Sequence, residues 1–148
     1  MEWMFMPLRR YAEFSGRSRR KEYWMWFLFN LVVTAILYSI MLASAGPAIM
    51  EAQRAAHMGL EPAAPSAGSM TGMGIAGILV FIYALAVFVP NLAVMVRRLH
   101  DQDKTGWLVL LILVPAIGPL ILLVFMLMEG TRGDNKYGPD PKAAERTA

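Results

Sequence analysis

The chain has 148 residues, of which 57% are hydrophobic and only 17% are charged, with a formal net charge of +3. Soluble domains average about 45–50% apolar and about 25% charged residues, so this composition excludes an ordinary water-soluble globule. Because the chain has no cysteine, disulfide bonds, thiolate nucleophiles and thiolate metal sites are also excluded.

The apolar excess is concentrated in three uncharged segments, residues 23–45, 74–96 and 107–128. A hydrocarbon core about 30 Å thick is crossed by about 20 helical residues at about 1.5 Å each, and each segment reaches that length. We therefore predict an all-α polytopic membrane protein, a small bundle of about three apolar segments between residues 1–22 and a turn-rich tail, 129–148. A cleaved signal peptide is the alternative for the first segment, but its apolar core would span only about 7–15 residues, so an uncleaved anchor is expected.

The basic residues indicate an orientation. Residues 1–22 contain six lysines and arginines, residues 97–106 contain three, and the residues after Met128 contain four. The loop 46–73 contains only Arg54. The positive-inside rule therefore predicts a cytoplasmic N-terminus and an external 46–73 loop. In that loop, Pro47 is expected to start a short helix.

The third segment allows two topologies because Pro115, Gly118 and Pro119 interrupt it. A kinked helix would cross the membrane and leave the tail outside. A re-entrant hairpin would return the tail to the cytoplasm and place thirteen of the fourteen basic residues inside. We favour the kinked helix, because a non-helical turn at membrane depth must be buried in protein or face water.

Aromatic residues flank the apolar segments and predict anchoring at the headgroup level. Tyr23, Trp24 and Trp26 open the first segment, and Trp107 opens the third. Residues 1–22 alternate basic and aromatic side chains, which is typical of a segment lying in the interface and broken here at Pro7.

Polar residues at the expected cytoplasmic end are the candidates for function. Guanidinium groups bind phosphate or carboxylate in bidentate fashion, and arginines at this level attract anionic headgroups. Glu22 lies among these bases and is expected to form an ion pair with Arg97 or Arg98. The candidates for binding a ligand or headgroup are Arg17, Arg20, Arg97, Arg98, His100 and Asp101.

Within the apolar segments, Asn30 and Asn91 are the residues expected to form hydrogen bonds across the helix pair. No acid, base or histidine lies in these segments, which argues against a charged ion path. His100, Asp101 and Asp103 offer too few ligands for a metal, and no nucleophile accompanies them. We predict no metal, no cofactor, no enzymatic activity and no nucleic-acid partner.

Three strings of residues resemble the bacterial domain-of-unknown-function family 805. They are Tyr11-x-x-Phe14-x-Gly16-Arg17 with Arg20-Lys21-Glu22-Tyr23-Trp24, then Val96-Arg97-Arg98-Leu99-His100-Asp101 with Thr105-Gly106-Trp107, then Gly130-Thr131-x-Gly133-x-Asn135-x-Tyr137-Gly138-x-Asp140-Pro141. The resemblance implies a small multi-pass protein of a bacterial inner membrane, and it implies no activity.

The leading hypothesis is a membrane protein that binds an anionic lipid headgroup or a phosphate-bearing ligand at its cytoplasmic face. The alternative is a scaffold or accessory subunit that packs against another membrane protein. A homo-oligomeric transporter or pore is disfavoured by the uncharged segments. Structural roles are expected for Glu22, Asn30, Asn91, Trp24, Trp107, Asn135 and Tyr137.

Overall fold

The computed structural model of the chain describes residues 2–61 and 64–143. These residues form four α-helices and one 3-10 helix, and within these ranges no strand is present. The elements are α1 (Glu2–Arg9), α2 (Arg20–His57), α3 (Ala67–His100), the 3-10 helix Gly106–Leu113 and α4 (Ile117–Leu127). The predicted all-α class is therefore confirmed for the described residues.

Helices α2 and α3 have 38 and 34 residues, and each is long and apolar enough to cross a membrane. Both extend beyond their apolar segments, so much of the predicted loop 46–73 is helical. Pro47 lies inside α2 instead of starting a separate helix, which corrects the prediction. The physical reason is that Pro47 removes a single backbone donor, whereas residues 48–57 are mostly good helix formers.

The ends of these helices follow known capping patterns. Gly59 has φ +64°, its N–H donates to Ala56, and the N–H of Leu60 donates to Ala55, which together form a Schellman motif after α2. The hydroxyl of Ser66 accepts from the N–H of Ser69 and caps the start of α3.

The chain divides into two compact units, which are described separately. Unit 1 comprises Met1–Phe29 with Val87–Ala148, and unit 2 comprises Asn30–Ala86. In unit 2, the hydroxyl of Tyr83 donates to Asn30 Oδ1 at 2.9 Å. This bond joins α3 to α2, as predicted for Asn30.

In unit 1 the third apolar segment is a helical hairpin. The 3-10 helix and α4 are its two arms, joined by a turn in which Ala116 has φ +63°. A Cβ at Gly118 would overlap the carbonyl oxygen of Leu111, so the arms are in backbone contact. The favoured prediction of one kinked helix is therefore wrong. Pro115 cannot continue the first arm, and the glycine allows the second arm to pack back against it.

The N-terminal segment begins with α1, which continues past the buried Pro7 to Arg9, so the predicted break at Pro7 is wrong. The Trp3 ring lies 4.8 Å from Arg19 Cζ, a cation–π contact with the residue just before α2. Phe5 meets Phe29 edge-on, with 5.6 Å between ring centres. These contacts hold α1 against the start of α2.

Candidate functional site

Arg17 lies in the segment between α1 and α2, and its side chain is buried. Its Nε donates to Asp101 Oδ1 at 3.0 Å, and its Nη1 donates to the carbonyl oxygen of Gly133 at 2.6 Å. Its Nη2 donates to the carbonyl oxygen of Thr131, also at 2.6 Å. A guanidinium group has five donors in a fixed plane, which suits several simultaneous contacts. Arg17 thereby joins the N-terminal segment, the loop after α3 and the tail.

The carboxylate of Asp101 is shared by two arginines. While Oδ1 accepts from Arg17, Oδ2 accepts from Arg98 Nη1 at 2.6 Å. Arg98 Nη2 also donates to the carbonyl oxygen of Met128, at the end of the hairpin. A Cβ at Gly130 would overlap the Asp101 carboxylate, so only glycine permits this approach of the tail.

Glu22 and Arg97 form a second buried ion pair. Glu22 Oε1 and Arg97 Nη2 are 3.1 Å apart, with side-chain exposures of 2% and 0%. Their geometry is not that of a hydrogen bond. In the part of the chain that the structure describes, Oε1, Nη1 and Nη2 have no hydrogen-bond partner. The ion pair predicted for Glu22 is present, and its partner is Arg97. We call these five residues, Arg17, Glu22, Arg97, Arg98 and Asp101, the arginine network.

Residues 129–143 of the tail form an ordered loop that packs on the network. Asn135 Nδ2 donates to the carbonyl oxygen of His100 at 2.9 Å, and Asn135 Oδ1 accepts from the N–H of Tyr137. The Asp140 carboxylate accepts from the N–H groups of Gly133 and Lys142. Such side-chain to backbone bonds stabilise turns in place of regular secondary structure.

His100 and Tyr137 form a stacked pair at the surface of this assembly. Their ring centres are 3.8 Å apart and their planes differ by 5°. His100 Nδ1 lies 3.3 Å from the carbonyl oxygen of Gly16. Burial lowers the pKa of His100 below its ordinary value, the bond to Gly16 opposes this effect, and the charge of Lys136 adds to it. His100 lies beyond the apolar segment 74–96.

The tryptophans have different surroundings. Trp26 is buried, and its Nε1 donates to Asn91 Oδ1 at 2.6 Å, so its indole contacts protein groups. This bond joins α2 to α3 within unit 1, as predicted for Asn91. Trp24 packs edge-on against Phe27, and Trp107 is 77% exposed.

The predicted ligand-binding residues differ in accessibility. In the network, Arg17, Arg97, Arg98 and Asp101 are buried and face protein groups. A phosphate would have to displace those groups, and removing one partner from a buried pair costs about 3–5 kcal/mol. The network is therefore suited to holding the segments of unit 1 together.

Other basic residues of unit 1 are more exposed than the network. Arg20 has a side chain 39% exposed, and it donates to Glu129 and to the carbonyl oxygen of Leu127. Among the described residues of unit 1, the exposed bases are Arg9, Lys21, Arg132 and Lys136. Their side chains are accessible without unfolding of the network.

Sequence reasoning missed three buried or half-buried residues that complete the site. Gln102 Nε2 donates to the carbonyl oxygen of Phe125, and Thr131 Oγ1 donates to the carbonyl oxygen of Asp101. Ser18 is fully buried beside Arg97, to whose carbonyl oxygen its N–H donates. The sequence did contain one indication of their importance, because each lies within or next to one of the three strings that resemble the family.

Comparisons with known proteins agree with that resemblance. The family described as protein of unknown function (DUF805) matches residues 11–139. The inner membrane protein YhaI of Escherichia coli K12 is 43% identical, over 96% of this chain and 97% of its own length. The inner membrane protein YhaH of the same strain is 41% identical, over 96% and 98%. The uncharacterized protein YiiR is 26% identical, over 94% and 88%. No solved structure gives a significant match.

Proposed function

The chain belongs to the family of proteins of unknown function called DUF805, and on that premise we propose that it binds anionic phospholipid at the cytoplasmic face of the bacterial inner membrane. Its relatives YhaH and YhaI are inner membrane proteins by name. The main support for the proposal is that the basic residues of unit 1 fall into a buried group and an exposed group. The buried arginines bond protein groups, and exposed bases accompany exposed apolar side chains.

The proposed topology has two crossings, α2 and α3, and a re-entrant hairpin. The two ends of the hairpin meet, because Gln102 donates to the carbonyl oxygen of Phe125 and the N–H of Thr131 donates to the carbonyl oxygen of Asp101. The tail then lies on the same side as the N-terminal segment. Thirteen of the fourteen lysines and arginines are on that side, which the positive-inside rule makes cytoplasmic.

The hairpin has suitable dimensions for re-entry. At about 2.0 Å per 3-10 residue and about 1.5 Å per α-helical residue, each arm extends about 16 Å, or half of a hydrocarbon core of about 30 Å. Most backbone N–H groups in its turn already have a hydrogen-bond acceptor or are absent. The N–H groups of Val114, Ile117 and Gly118 donate to carbonyl oxygens within the hairpin, and Pro115 has no N–H. This arrangement lowers the cost of placing the turn in lipid.

The N-terminal segment has the composition of a lipid-contacting surface. Phe5, Leu8 and Phe14 are each more than two-fifths exposed. Arg9 and Lys21 are exposed in the same unit. Apolar side chains entering the acyl boundary and bases facing phosphates are the two contributions to interfacial binding.

The test is lipid selection by the purified full-length protein. Reconstituted in bilayers of phosphatidylcholine and phosphatidylglycerol, the wild type should retain phosphatidylglycerol preferentially when native mass spectrometry counts the bound lipids. Each exposed base contributes about 1 kcal/mol, so the triple variant Arg9→Gln/Lys21→Gln/Arg132→Gln should lose roughly a factor of ten or more in that preference.

The matched control is Arg54→Gln, which removes an exposed base from unit 2. It should retain most of the wild-type preference, because Arg54 is a single base outside the N-terminal segment and the tail. Equal preference in the wild type and the triple variant would contradict the proposed function.

A further inference from the structure

A cleft of about 580 Å³ in unit 1 is not used by the arginine network. Its walls come from four segments of the chain, and four of the eight lining residues carry rings. They are Phe14, His100, Trp107 and Tyr137, and Val96 and Val109 also line the cleft. Ligand sites are typically clefts of about 300–1,000 Å³ with apolar and aromatic walls, so this one has an appropriate size.

Close packing at Gly106 fixes the shape of the cleft. A Cβ at Gly106 would lie 2.7 Å from Val96 Cγ1 and 3.1 Å from His100 Nε2, so the glycine lets the 3-10 helix approach α3. The same turn leaves Trp107 77% exposed. An indole presented to this extent needs an apolar environment or an apolar ligand.

The position of the cleft indicates its occupant. Val96 is the last residue of the apolar segment 74–96, and Trp107 is the first of the segment 107–128. The cleft therefore opens at the level where hydrocarbon gives way to headgroups, the level that tryptophan and tyrosine favour. What meets such a surface in a membrane is a phospholipid.

The charges at the rim agree with a phosphate. Lys136 Nζ lies 5.0 Å from the centre of the Tyr137 ring. None of the residues that line the cleft is acidic. Lys136 also lies 3.7 Å from Asp103, but both side chains are about half exposed or more, and such pairs contribute little. A phosphate can therefore replace Asp103 as the partner of Lys136.

From these features we infer that the cleft binds one phospholipid molecule, with an acyl chain packed against the four rings and the phosphate at Lys136. This inference rests on the proposed function. The exposed bases would select anionic phospholipid, and the cleft would be a defined site that holds one such molecule. Because Phe14 and Trp107 are both exposed, their truncation should leave the fold intact.

The experiment counts phospholipid molecules that remain on the full-length protein after repeated exchange into lipid-free detergent, by native mass spectrometry. The wild type should retain one phosphatidylglycerol per chain. Phe14→Ala/Trp107→Ala should reduce that retention at least fivefold while unfolding at the wild-type temperature. Val109→Trp, which fills the cleft, should give the same loss, and Lys136→Gln should reduce retention severalfold.

The matched control is Leu113→Ala, since Leu113 is 74% exposed on the same 3-10 helix but does not line the cleft. It should retain lipid as the wild type does. Retention unchanged in both cleft variants would overturn the inference, as would a lipid-free dimer that only those variants disrupt. Failure of this site is distinguishable from failure of the proposed function, because the triple variant at Arg9, Lys21 and Arg132 leaves the cleft residues unchanged.

Discussion

The Asp101 carboxylate accepts a hydrogen bond from the guanidinium group of Arg17, with 3.0 Å between Oδ1 and Nε, although the two residues are 84 positions apart in sequence. The side-chain exposures are 6% for Asp101 and 2% for Arg17. Through this contact the N-terminal segment, the end of α3 and the tail share one buried polar centre.

Removal of the Asp101 charge should therefore destabilise unit 1. Asp101→Asn keeps the shape of the side chain but leaves Arg17 and Arg98 without their carboxylate. Loss of one partner from a buried ion pair costs about 3–5 kcal/mol in the free energy of unfolding. Unfolding in detergent measures this loss. Asp103→Asn removes an exposed carboxylate and should cost less than about 1 kcal/mol. Similar losses in both variants would contradict a central role for Asp101.

The buried pair between Glu22 and Arg97 should respond differently to single and double substitution. Glu22→Gln leaves a buried guanidinium group without a counter-charge and should be strongly destabilising. The pair has few hydrogen bonds to offset its desolvation. The double variant Glu22→Met/Arg97→Met should therefore be as stable as the wild type, or more stable by about 1–4 kcal/mol. A double variant less stable than Glu22→Gln would refute this interpretation.

Gly118 should be essential for closure of the hairpin. In Gly118→Ala the new methyl group meets the backbone carbonyl of Leu111, which cannot move without opening the two arms. We expect a marked fall in unfolding temperature, and faster proteolysis of the tail. Gly77→Ala is the control, because a Cβ there meets nothing within 4 Å and alanine favours the helix by up to about 1 kcal/mol. Equal stability of the two variants would show that the arms are not in backbone contact.

His100 should make stability depend on pH. Burial lowers its pKa in the folded protein, so the unfolded chain binds the proton more readily. The stabilisation is present above the ordinary pKa of about 6.5, and it is lost as the pH falls through the lower pKa of the folded protein. The free energy of unfolding should therefore decrease as the pH falls from neutral through that ordinary pKa and below it.

In His100→Phe that decrease should be smaller, because phenylalanine keeps a ring against Tyr137 but binds no proton. The other histidine supplies the control, since His57 is exposed and lies in unit 2, and His57→Gln should retain the wild-type slope. A His100→Phe variant with an unchanged slope would show that another group is responsible.

The sequence predicted the parts of this structure that depend on helix length and on local position. Segments 23–45 and 74–96 identified α2 and α3 because their length and lack of charge suit a bilayer. The contacts of Asn30 and Asn91 followed because polar groups in apolar helices need partners on the neighbouring helix, and that of Glu22 followed because an acid among many bases needs a counter-charge. Those partners proved to be Tyr83, Trp26 and Arg97.

What the sequence could not predict depends on distant backbone groups. Arg17 donates to the carbonyl oxygens of Gly133 and Thr131, and a carbonyl acceptor has no signature in residue type. The candidate arginines were therefore interpreted as free to bind ligands. The hairpin was the less favoured of two predicted topologies, because Pro115 and Gly118 are equally compatible with a kinked helix. The contact of Gly118 with the backbone of Leu111 distinguishes the hairpin from the kinked helix, and this contact depends on the folded backbone, which residue types do not specify.

The side of the membrane on which the tail lies tests the account most directly. Because the chain has no cysteine, single cysteines introduced at the exposed Ser15, Glu61 and Ala143 can be labelled without background. A membrane-impermeant maleimide applied to intact spheroplasts should label Glu61→Cys alone, and it should label Ser15→Cys and Ala143→Cys only after lysis. Labelling of Ala143→Cys together with Glu61→Cys in intact spheroplasts would show that the third segment crosses the membrane, and would contradict the re-entrant hairpin.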